Sequence, residues 1–265
     1  MTTPDVPHRL EMTVELPGTP EQVWHAIATG EGISSWFIRT DLEGREGGAI
    51  VTYMGEGMSS PGEVTGWDPP RRMEYEEPEW ASLGGAEDAQ VTPLVTEWLV
   101  EARSGGTCVV RVVSSAFGTG ADWEEPFFDT MREGWVEFFT HLELYLRDFP
   151  GQQAVSLEIV REEAVTAPAM WQAVTGDLGL PDEAGKPVDM RGLAGHVDQV
   201  TGTRMLVRLT DPYPGYVSVW CGEFSPGKAM VNIHAYLFGP EAENYVEREE
   251  PGWKSWLDGL TIPTR

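Results

Sequence analysis

The side chains that could carry out acid–base, nucleophilic or metal chemistry are few in this sequence and lie far apart. The motifs of phosphate, dinucleotide and hydrolase sites, namely a Walker loop, GxGxxG and GxSxG, are missing from the 265 residues. Cys108 and Cys221 are isolated, which predicts neither a disulfide framework nor a zinc site. The histidines form no HExxH motif and no pair four residues apart, and they are His8, His25, His141, His196 and His234. We therefore expect no metal site and no cofactor.

A second group of side chains is better suited to binding than to reaction. Methionine adapts its shape to an apolar ligand, and a tyrosine or serine can orient one polar end of that ligand. The predicted ligand-binding set is Trp36, Met54, Met73, Tyr75, Trp98, Val110, Val112, Ser114, Met131 and Trp135. Two interpretations stay open, since these side chains either line a cavity of ligand size or fill the interior by themselves.

A long amphipathic helix is predicted over residues 126–148, and the rest of the first half must position the set against it. Its large apolar residues recur at spacings of three and four, which places them on one broad stripe. They are Phe128, Met131, Trp135, Phe138, Phe139, Leu142, Tyr145 and Leu146. Such a wide aromatic stripe requires a concave apolar partner, which the preceding strands can supply.

Those strands are predicted from alternation and from Gly or Pro turns. LEMTVEL at 10–16 alternates strictly, and Thr19 followed by Pro20 predicts the start of a helix. Short strands are expected within 35–77, and two longer ones follow in PLVTEWLVEA and TCVVRVVSSA. Charged residues mark the outer faces of this last pair. The inward positions are therefore Thr96, Trp98, Val100, Val110, Val112 and Ser114.

The second half of the chain repeats the first. PEQVWHAI at 20–27 is echoed by APAMWQAV at 167–174, CVVRVVSSAFG at 108–118 by AMVNIHAYLFG at 229–239, and REGWVEFFTHL by EPGWKSWLDGL. GEV at 62 corresponds to GHV at 195, RRMEY to TRMLV with Arg72 matching Arg204, and TEWLVE to SVWCGE through Trp98 and Trp220. The second copy is shorter between its first helix and its GHV strand, where most of two strands is expected to be missing. We expect one complete domain at 8–149 and a degenerate one at 153–260, with a smaller or filled second cavity.

The formal net charge of −25 disfavours nucleic acid and anionic membrane surfaces as partners, since both require Lys and Arg. The sequence contains no apolar run long enough to span a bilayer and begins without a signal-like pattern, so we expect a cytoplasmic protein with no membrane insertion. The sequence does not predict the oligomeric state.

These features resemble those of the SRPBCC superfamily, which has the helix-grip (START-like, Bet v 1-like) fold, and most closely its branch similar to the activator of Hsp90 ATPase (AHSA1-like). The resemblance is carried by residues 10–37, by GEVTGWDPPRRMEYE at 62–76, by the Trp98 strand and by Gly134 and Trp135 in the long helix. It implies an α+β protein of two helix-grip domains, each a curved antiparallel sheet wrapped around a C-terminal helix. The superfamily uses the tunnel between sheet and helix for lipids, sterols, polyketides and plant hormones, and it has no shared catalytic set.

The first hypothesis is therefore a non-enzymatic module that binds a small hydrophobic molecule in its first domain. An enzyme on the same fold, such as a cyclase, dehydratase or hydrolase, is the alternative, and its acid or base would be Tyr75, Ser114 or Asp41. A co-chaperone-like interaction through the acidic surface is a third hypothesis, with a protein as partner. Binding that weakens with salt and survives Trp98→Ala would identify this third role.

Overall fold

The computed structural model describes residues 5–263 except 56, 87 and 226. The chain divides into two compact units, Met1–Gln153 (unit 1) and Ala154–Arg265 (unit 2). Unit 1 contains, in chain order, β1 (Val6–Pro17), α1 (Pro20–Ala28), α2 (Gly30–Ser34), β2 (Thr40–Leu42), β3 (Ala49–Tyr53), β4 (Ser59–Asp68), β5 (Arg72–Glu77), α3 (Trp80–Leu83), β6 (Leu94–Ala102), β7 (Thr107–Gly118) and α4 (Glu124–Asp148).

The strands of unit 1 form one seven-stranded antiparallel sheet in the order β1-β7-β6-β5-β4-β3-β2. The chain therefore runs as a meander from β2 to β7, and β1 pairs with the last strand of that meander. Side chains alternate between the two faces, and the inner face carries the apolar residues that α4 covers. The expected fold class, α+β with helix-grip domains, is confirmed.

Unit 2 has the same plan with fewer elements. It contains β8 (Val155–Glu163), α5 (Ala167–Asp177), β9 (Pro187–Met190), β10 (Leu193–Thr201), β11 (Arg204–Asp211), β12 (Gly215–Ser225), β13 (Lys228–Leu237) and α6 (Ala242–Gly259). Its six strands are ordered β8-β13-β12-β11-β10-β9, and the counterparts of α2, β2 and α3 are missing from the described residues of this unit. The shortening is as predicted in place, but it removes one short strand and not most of two.

Local sequence accounts for where the helices begin. Thr19 caps α1 through a capping box, in which its hydroxyl accepts from the backbone of Gln22 and the Gln22 side chain accepts from the backbone of Thr19. Thr166 caps α5 in the same way by accepting from Ala169. The start of α4 depends instead on tertiary contacts, because the helix begins at Glu124, two residues before the predicted start, where the Glu124 side chain contacts His8 of β1 and the Thr119 and Gly120 amides of the preceding loop.

The apolar stripe of α4 is confirmed by burial. Six of its eight predicted members are buried and the other two, Met131 and Phe138, are half-buried. On the opposite face, which the same periodicity predicts to be polar, Asp129, Arg132, Glu133 and Glu143 are exposed and Glu137 is half-buried. The stripe therefore faces the sheet of unit 1 as the periodicity predicted.

The repeat is visible in the strand registers of the two units. In unit 1, Met73 lies opposite Trp98, whereas in unit 2 its match Met205 lies opposite Val219. The structural counterpart of Trp98 is thus Val219. The predicted match between Trp98 and Trp220 is wrong by one residue, since Trp98 is 3% exposed on the inner face whereas Trp220 lies on the outer face beneath the guanidinium of Arg204.

Unit 2 has a dense apolar interior. Its core includes Trp253 from α6 at 1% exposure, Met190 from β9 and Leu193 from β10, both at 0%. This packing agrees with the expectation of a smaller or filled second interior. Among the described residues, none of the helices combines the length and hydropathy needed to cross a bilayer.

Candidate functional site

The apolar half of the candidate site lies where aromatic residues of α4 pack against Trp98 of β6 in unit 1. The ring centroids of Trp98 and Trp135 are 5.3 Å apart, and those of Trp98 and Trp36 are 6.3 Å apart, both in edge-to-face geometry. The indole N–H of Trp36 donates to the carbonyl of Ala26 at 2.8 Å, which fixes this ring at the end of α1. Phe37 stacks on Trp135 with centroids 5.4 Å apart. Aromatic rings therefore fill this end of the interior.

The structure brings most of the predicted set together on one inner face. Met73 and Val112 lie opposite Trp98 on its two neighbouring strands, and Val110 lies one step further along β7. Met131 lies one turn before Trp135 on α4 and is half-buried. Met54 follows β3 in the turn to β4, where its amide donates to the carbonyl of Met58, so it lies outside the strands that carry the rest. The ligand-binding role of the set stays a prediction.

Polar side chains form a second half of the interior. Thr96 of β6 and Ser114 of β7 lie opposite each other, and their hydroxyls are 3.0 Å apart. Both residues are buried, at 2% and 0% exposure. Tyr75 of β5 lies opposite Thr96 on its other side, so three hydroxyl-bearing residues form one row across three strands. On strands β2 and β3 the hydroxyls of Thr40 and Thr52 are 3.4 Å apart and are also buried.

An acid joins this row from β5. Glu77 shares the inner face with Tyr75 because the two are separated by one residue, and it accepts from the hydroxyl of Ser60 at 2.5 Å. Gly62 lies beside the pair, and a Cβ at that position would be 3.2 Å from Cγ of Glu77. The same Cβ would be 2.5 Å from the backbone oxygen of Glu76, so the close approach of β5 requires a glycine here. We call the seven residues the polar band: Thr40, Thr52, Ser60, Tyr75, Glu77, Thr96 and Ser114.

Burial controls the ionisation of the two titratable members of the band. Burial raises the pKa of Glu77, and the hydrogen bond from Ser60 only partly opposes that rise. Burial also raises the pKa of Tyr75, a negative charge on Glu77 would raise it further, and Trp98 and Thr96 lower it. Both groups are thus held toward their neutral, proton-bearing forms. A neutral carboxyl and a neutral phenol can each donate a hydrogen bond.

A different buried acid anchors the start of α4. The Glu124 side chain is 0% exposed and accepts from the Thr119 amide, the Thr119 hydroxyl and the Gly120 amide at 2.8, 2.9 and 3.0 Å. Its other contact is with His8 Nε2 at 2.8 Å, and the His8 ring stacks on Phe128. Burial would raise the pKa of Glu124, but these hydrogen bonds outweigh it and lower the pKa to about 2. This group is an ionised clamp between β1, β7 and α4.

Unit 2 carries apolar residues at the positions that match six of the seven residues of the polar band, and the seventh, Thr40, lies on β2, which has no counterpart among the described residues of unit 2. The row Tyr75, Thr96 and Ser114 corresponds in strand register to Val207, Val217 and Ala235, because both rows end opposite a buried leucine, Leu10 or Leu157. The same registers, together with the match of GEV and GHV, pair Thr52 with Met190, Ser60 with Leu193 and Glu77 with Leu209. The contact between His8 and Glu124 is also absent from unit 2, since the matching residues are Val155 and Ala242. The fold itself therefore does not require the polar band.

Two open surface clefts are found elsewhere. One of about 490 Å³ lies on unit 2 between α5 and α6 and includes Asp177 and Trp256. The other, of about 500 Å³, lies on unit 1 and includes Glu46 and Glu63. Neither contains a member of the predicted ligand-binding set. Within the part of the chain that the structure describes, no three His, Cys, Asp or Glu residues are grouped so that they could hold a metal ion.

One acid that the sequence predicted for the interior lies on the surface, and one acid of the interior was not predicted. Asp41 is exposed and accepts from the hydroxyl of Tyr53 at 2.8 Å, so it cannot act inside the interior. Glu77 was not predicted, although the alternation of RMEYEE places it on the face of Met73 and Tyr75. Its partner Ser60 is 17 residues away in the chain, and no local pattern joins the two.

The chain was compared with known proteins. Residues 17–147 match the family described as activator of Hsp90 ATPase homolog 1-like protein. No curated protein matches the chain significantly. Among solved structures, the chain is similar to protein MLL2253 from Mesorhizobium loti, with 19% identity and a TM-score of 0.45 over 54% of this chain and 98% of that one.

Two further similarities extend over different shares of the chain. The Aha1 dimer from Colwellia psychrerythraea has 17% identity and a TM-score of 0.43 over 54% of this chain and 99% of that one. The di-domain ARO/CYC BexL from the BE-7585A biosynthetic pathway has 16% identity and a TM-score of 0.43 over 94% and 95%. Likeness at this level carries no conclusion about a ligand or a reaction.

Proposed function

Because residues 17–147 form an AHSA1-like domain, we propose that unit 1 binds a small hydrophobic molecule, lipid-like or aromatic, between its sheet and α4. The observation that carries this proposal is the polar band inside unit 1. Burying hydroxyl and carboxyl groups costs free energy that apolar side chains avoid, and unit 2 is built on the same registers with apolar residues at these positions. Such a cost is expected where polar groups serve a ligand.

The exposure of the inward residues supports a location for the ligand. Thr96 and Ser114 are almost completely covered, as are Val110 and Val112. Tyr75 and Glu77 are surrounded by protein closely enough for burial to raise their pKa, yet each keeps some accessible surface. The ligand would therefore lie next to these two residues, with its polar end toward Tyr75 and Glu77 of β5 and its apolar part toward the half-buried Met131 of α4.

The test is to identify what the full-length protein retains. The chain is purified without detergent and examined by native mass spectrometry, and an organic extract is analysed in parallel. We expect an apolar molecule that is released on denaturation, at lower occupancy in the Tyr75→Phe, Thr96→Val double variant. Val207→Ala in unit 2 serves as the control and should keep full occupancy. A protein that carries no such molecule, and takes up none from a library of lipids and aromatics, would contradict the proposal.

One observation favours an enzyme as the second candidate. Glu77 and Tyr75 lie on one inner face with their proton-bearing forms stabilised by burial, and a general acid requires such a state near neutral pH. Turnover that disappears in Glu77→Gln while ligand binding persists would favour this candidate. If the parent protein binds ligand but shows no turnover, the non-enzymatic binding function is supported and the enzyme is rejected.

A further inference from the structure

The acid Glu77 is more than a polar lining residue, because its surroundings determine what kind of head group can approach it. The hydroxyl of Ser60 is bonded to one carboxyl oxygen, Oε1, at 2.5 Å. The other oxygen is left for a second contact. Tyr75 lies on the same face two residues earlier, so a ligand atom near β5 would meet two oxygen-bearing side chains.

Within the described part of the chain, no positively charged group is among the interactions that act on these two groups. The groups that influence Glu77 are its burial and the Ser60 hydroxyl, and those that influence Tyr75 are burial, Glu77, Trp98 and Thr96. The inward residues of the neighbouring strands near Glu77 are Ser60 and Gly62 on β4 and Leu94 and Thr96 on β6, which carry no charge. An anionic head group would therefore be desolvated beside a carboxyl group without a counter-ion, which is costly.

An uncharged oxygen has no such cost. It can accept a hydrogen bond from the Tyr75 phenol, and burial, which raises the pKa of Glu77, favours the protonated form of that carboxyl, which can also donate. A cationic head group would instead need Glu77 to ionise in the buried site, which burial opposes.

We infer that Glu77 is a specificity-determining residue, which makes unit 1 accept an apolar molecule with an uncharged oxygen-bearing head group and reject one that ends in a carboxylate. The inference rests on the proposed function, since it presumes that unit 1 binds an apolar molecule. It adds the chemical class of the head group and names the residue that selects it. A free fatty acid at neutral pH is excluded by this rule, whereas a ketone, an ester or an alcohol of similar size is admitted.

The experiment compares four naphthalenes that share a ring and differ in the head group: 2-acetylnaphthalene, 2-ethylnaphthalene, 2-naphthoic acid and 2-(aminomethyl)naphthalene. Equilibrium dialysis at pH 7 gives Kd for each with the full-length protein. We expect the ketone to bind about three- to tenfold tighter than the ethyl compound, which is the range of one hydrogen bond. The acid should bind at least about tenfold more weakly than the ketone.

Three variants test whether Glu77 is the cause. Glu77→Gln keeps a donor without the acid, so the ketone should bind within about threefold of the parent while the naphthoic acid gains about tenfold. Glu77→Leu reproduces the residue of unit 2 and should remove the advantage of the ketone over the ethyl compound. Glu76→Gln, on the outer face of the same strand, is the matched control and should change none of the four affinities.

The outcomes separate this inference from the proposed function. Equal binding of all four probes, tightest binding of the acid or the amine, or an equal effect of Glu76→Gln would overturn the inference and leave apolar binding in place. Failure of all four probes to bind would overturn both. If Glu77→Leu does not fold, the Glu77→Gln result decides, since glutamine retains the size and hydrogen bonding of the side chain.

Discussion

The buried Glu124 carboxylate should make stability depend on pH in the acid range. Its pKa is lowered in the folded protein to about 2 from an ordinary value of 4.5, so it contributes stability above the unfolded value that is lost as the pH falls toward 2. The shift corresponds to about 3 kcal/mol. Hydrogen bonds from Thr119 and Gly120 and the contact with His8 are the cause.

The expected result is that Glu124→Gln loses stability at pH 7 and that the loss becomes smaller between pH 5 and pH 2. Urea denaturation at several pH values, followed by the signal of unit 1, gives the free energy of unfolding. Glu125→Gln is the control, because Glu125 is the exposed neighbour in the same helical turn. A difference between Glu124→Gln and the parent that does not vary with pH would contradict the ionised clamp.

Because the hydroxyls of Thr96 and Ser114 are hydrogen-bonded to each other, substitutions at the two positions should have non-additive effects on the free energy of unfolding. Ser114→Ala leaves the Thr96 hydroxyl without this partner, and the protein should lose about 1 kcal/mol or more. The double variant Thr96→Val, Ser114→Ala removes both groups, as in unit 2, and should recover most of that loss. Chemical denaturation of the two variants and the parent measures the difference. Losses that simply add would mean that the pair is not coupled.

Helix α4 is held to the sheet mainly by its aromatic stripe, so removing one ring of the stripe should weaken the packing of the whole helix. Trp135 is 8% exposed and contacts Trp98, Phe37 and Phe139. Trp135→Ala should therefore destabilise unit 1 by about 3 to 5 kcal/mol. The next residue, Val136, is 57% exposed, so Val136→Ala should change stability by less than about 0.5 kcal/mol. Hydrogen exchange of α4 amides would report both effects, and similar protection in the two variants would contradict the packing described.

The elements also show how far the sequence could predict the molecule. Helical and strand periodicity were enough for the stripe of α4 and for the inward positions from Thr96 to Ser114, because these signals are local. The start of α4 at Glu124 depends on contacts with β1 and β7, and the Ser60–Glu77 bond joins two strands. The match of Trp98 with Trp220 followed residue identity, and a slip of one residue in a strand exchanges its faces.

Exchanging one residue between the two units should change their stabilities in different ways. Glu77→Leu replaces a buried acid with the residue found at the matching position of unit 2, so unit 1 should keep or gain stability in the absence of ligand. Leu209→Glu places an acid in a core where Leu209 is 2% exposed, and it should destabilise unit 2 by about 3 kcal/mol or more. Differential scanning calorimetry at pH 7 of both variants tests the pair. Equal losses in the two would mean that the interiors of the units do not differ in kind.

The apolar interior of unit 2 has a consequence for how the gene can change over time. Packing is the only constraint on positions such as Val207, Val217 and Ala235. In a library of random substitutions, many variants with other alkyl side chains at these positions should therefore still fold. Under the proposed function, the matching row of unit 1 must also fit a ligand, and conservative replacements that leave the fold intact should be eliminated under selection for ligand binding. One copy of the repeat would then be free to change in sequence while the other is constrained by the molecule that it binds.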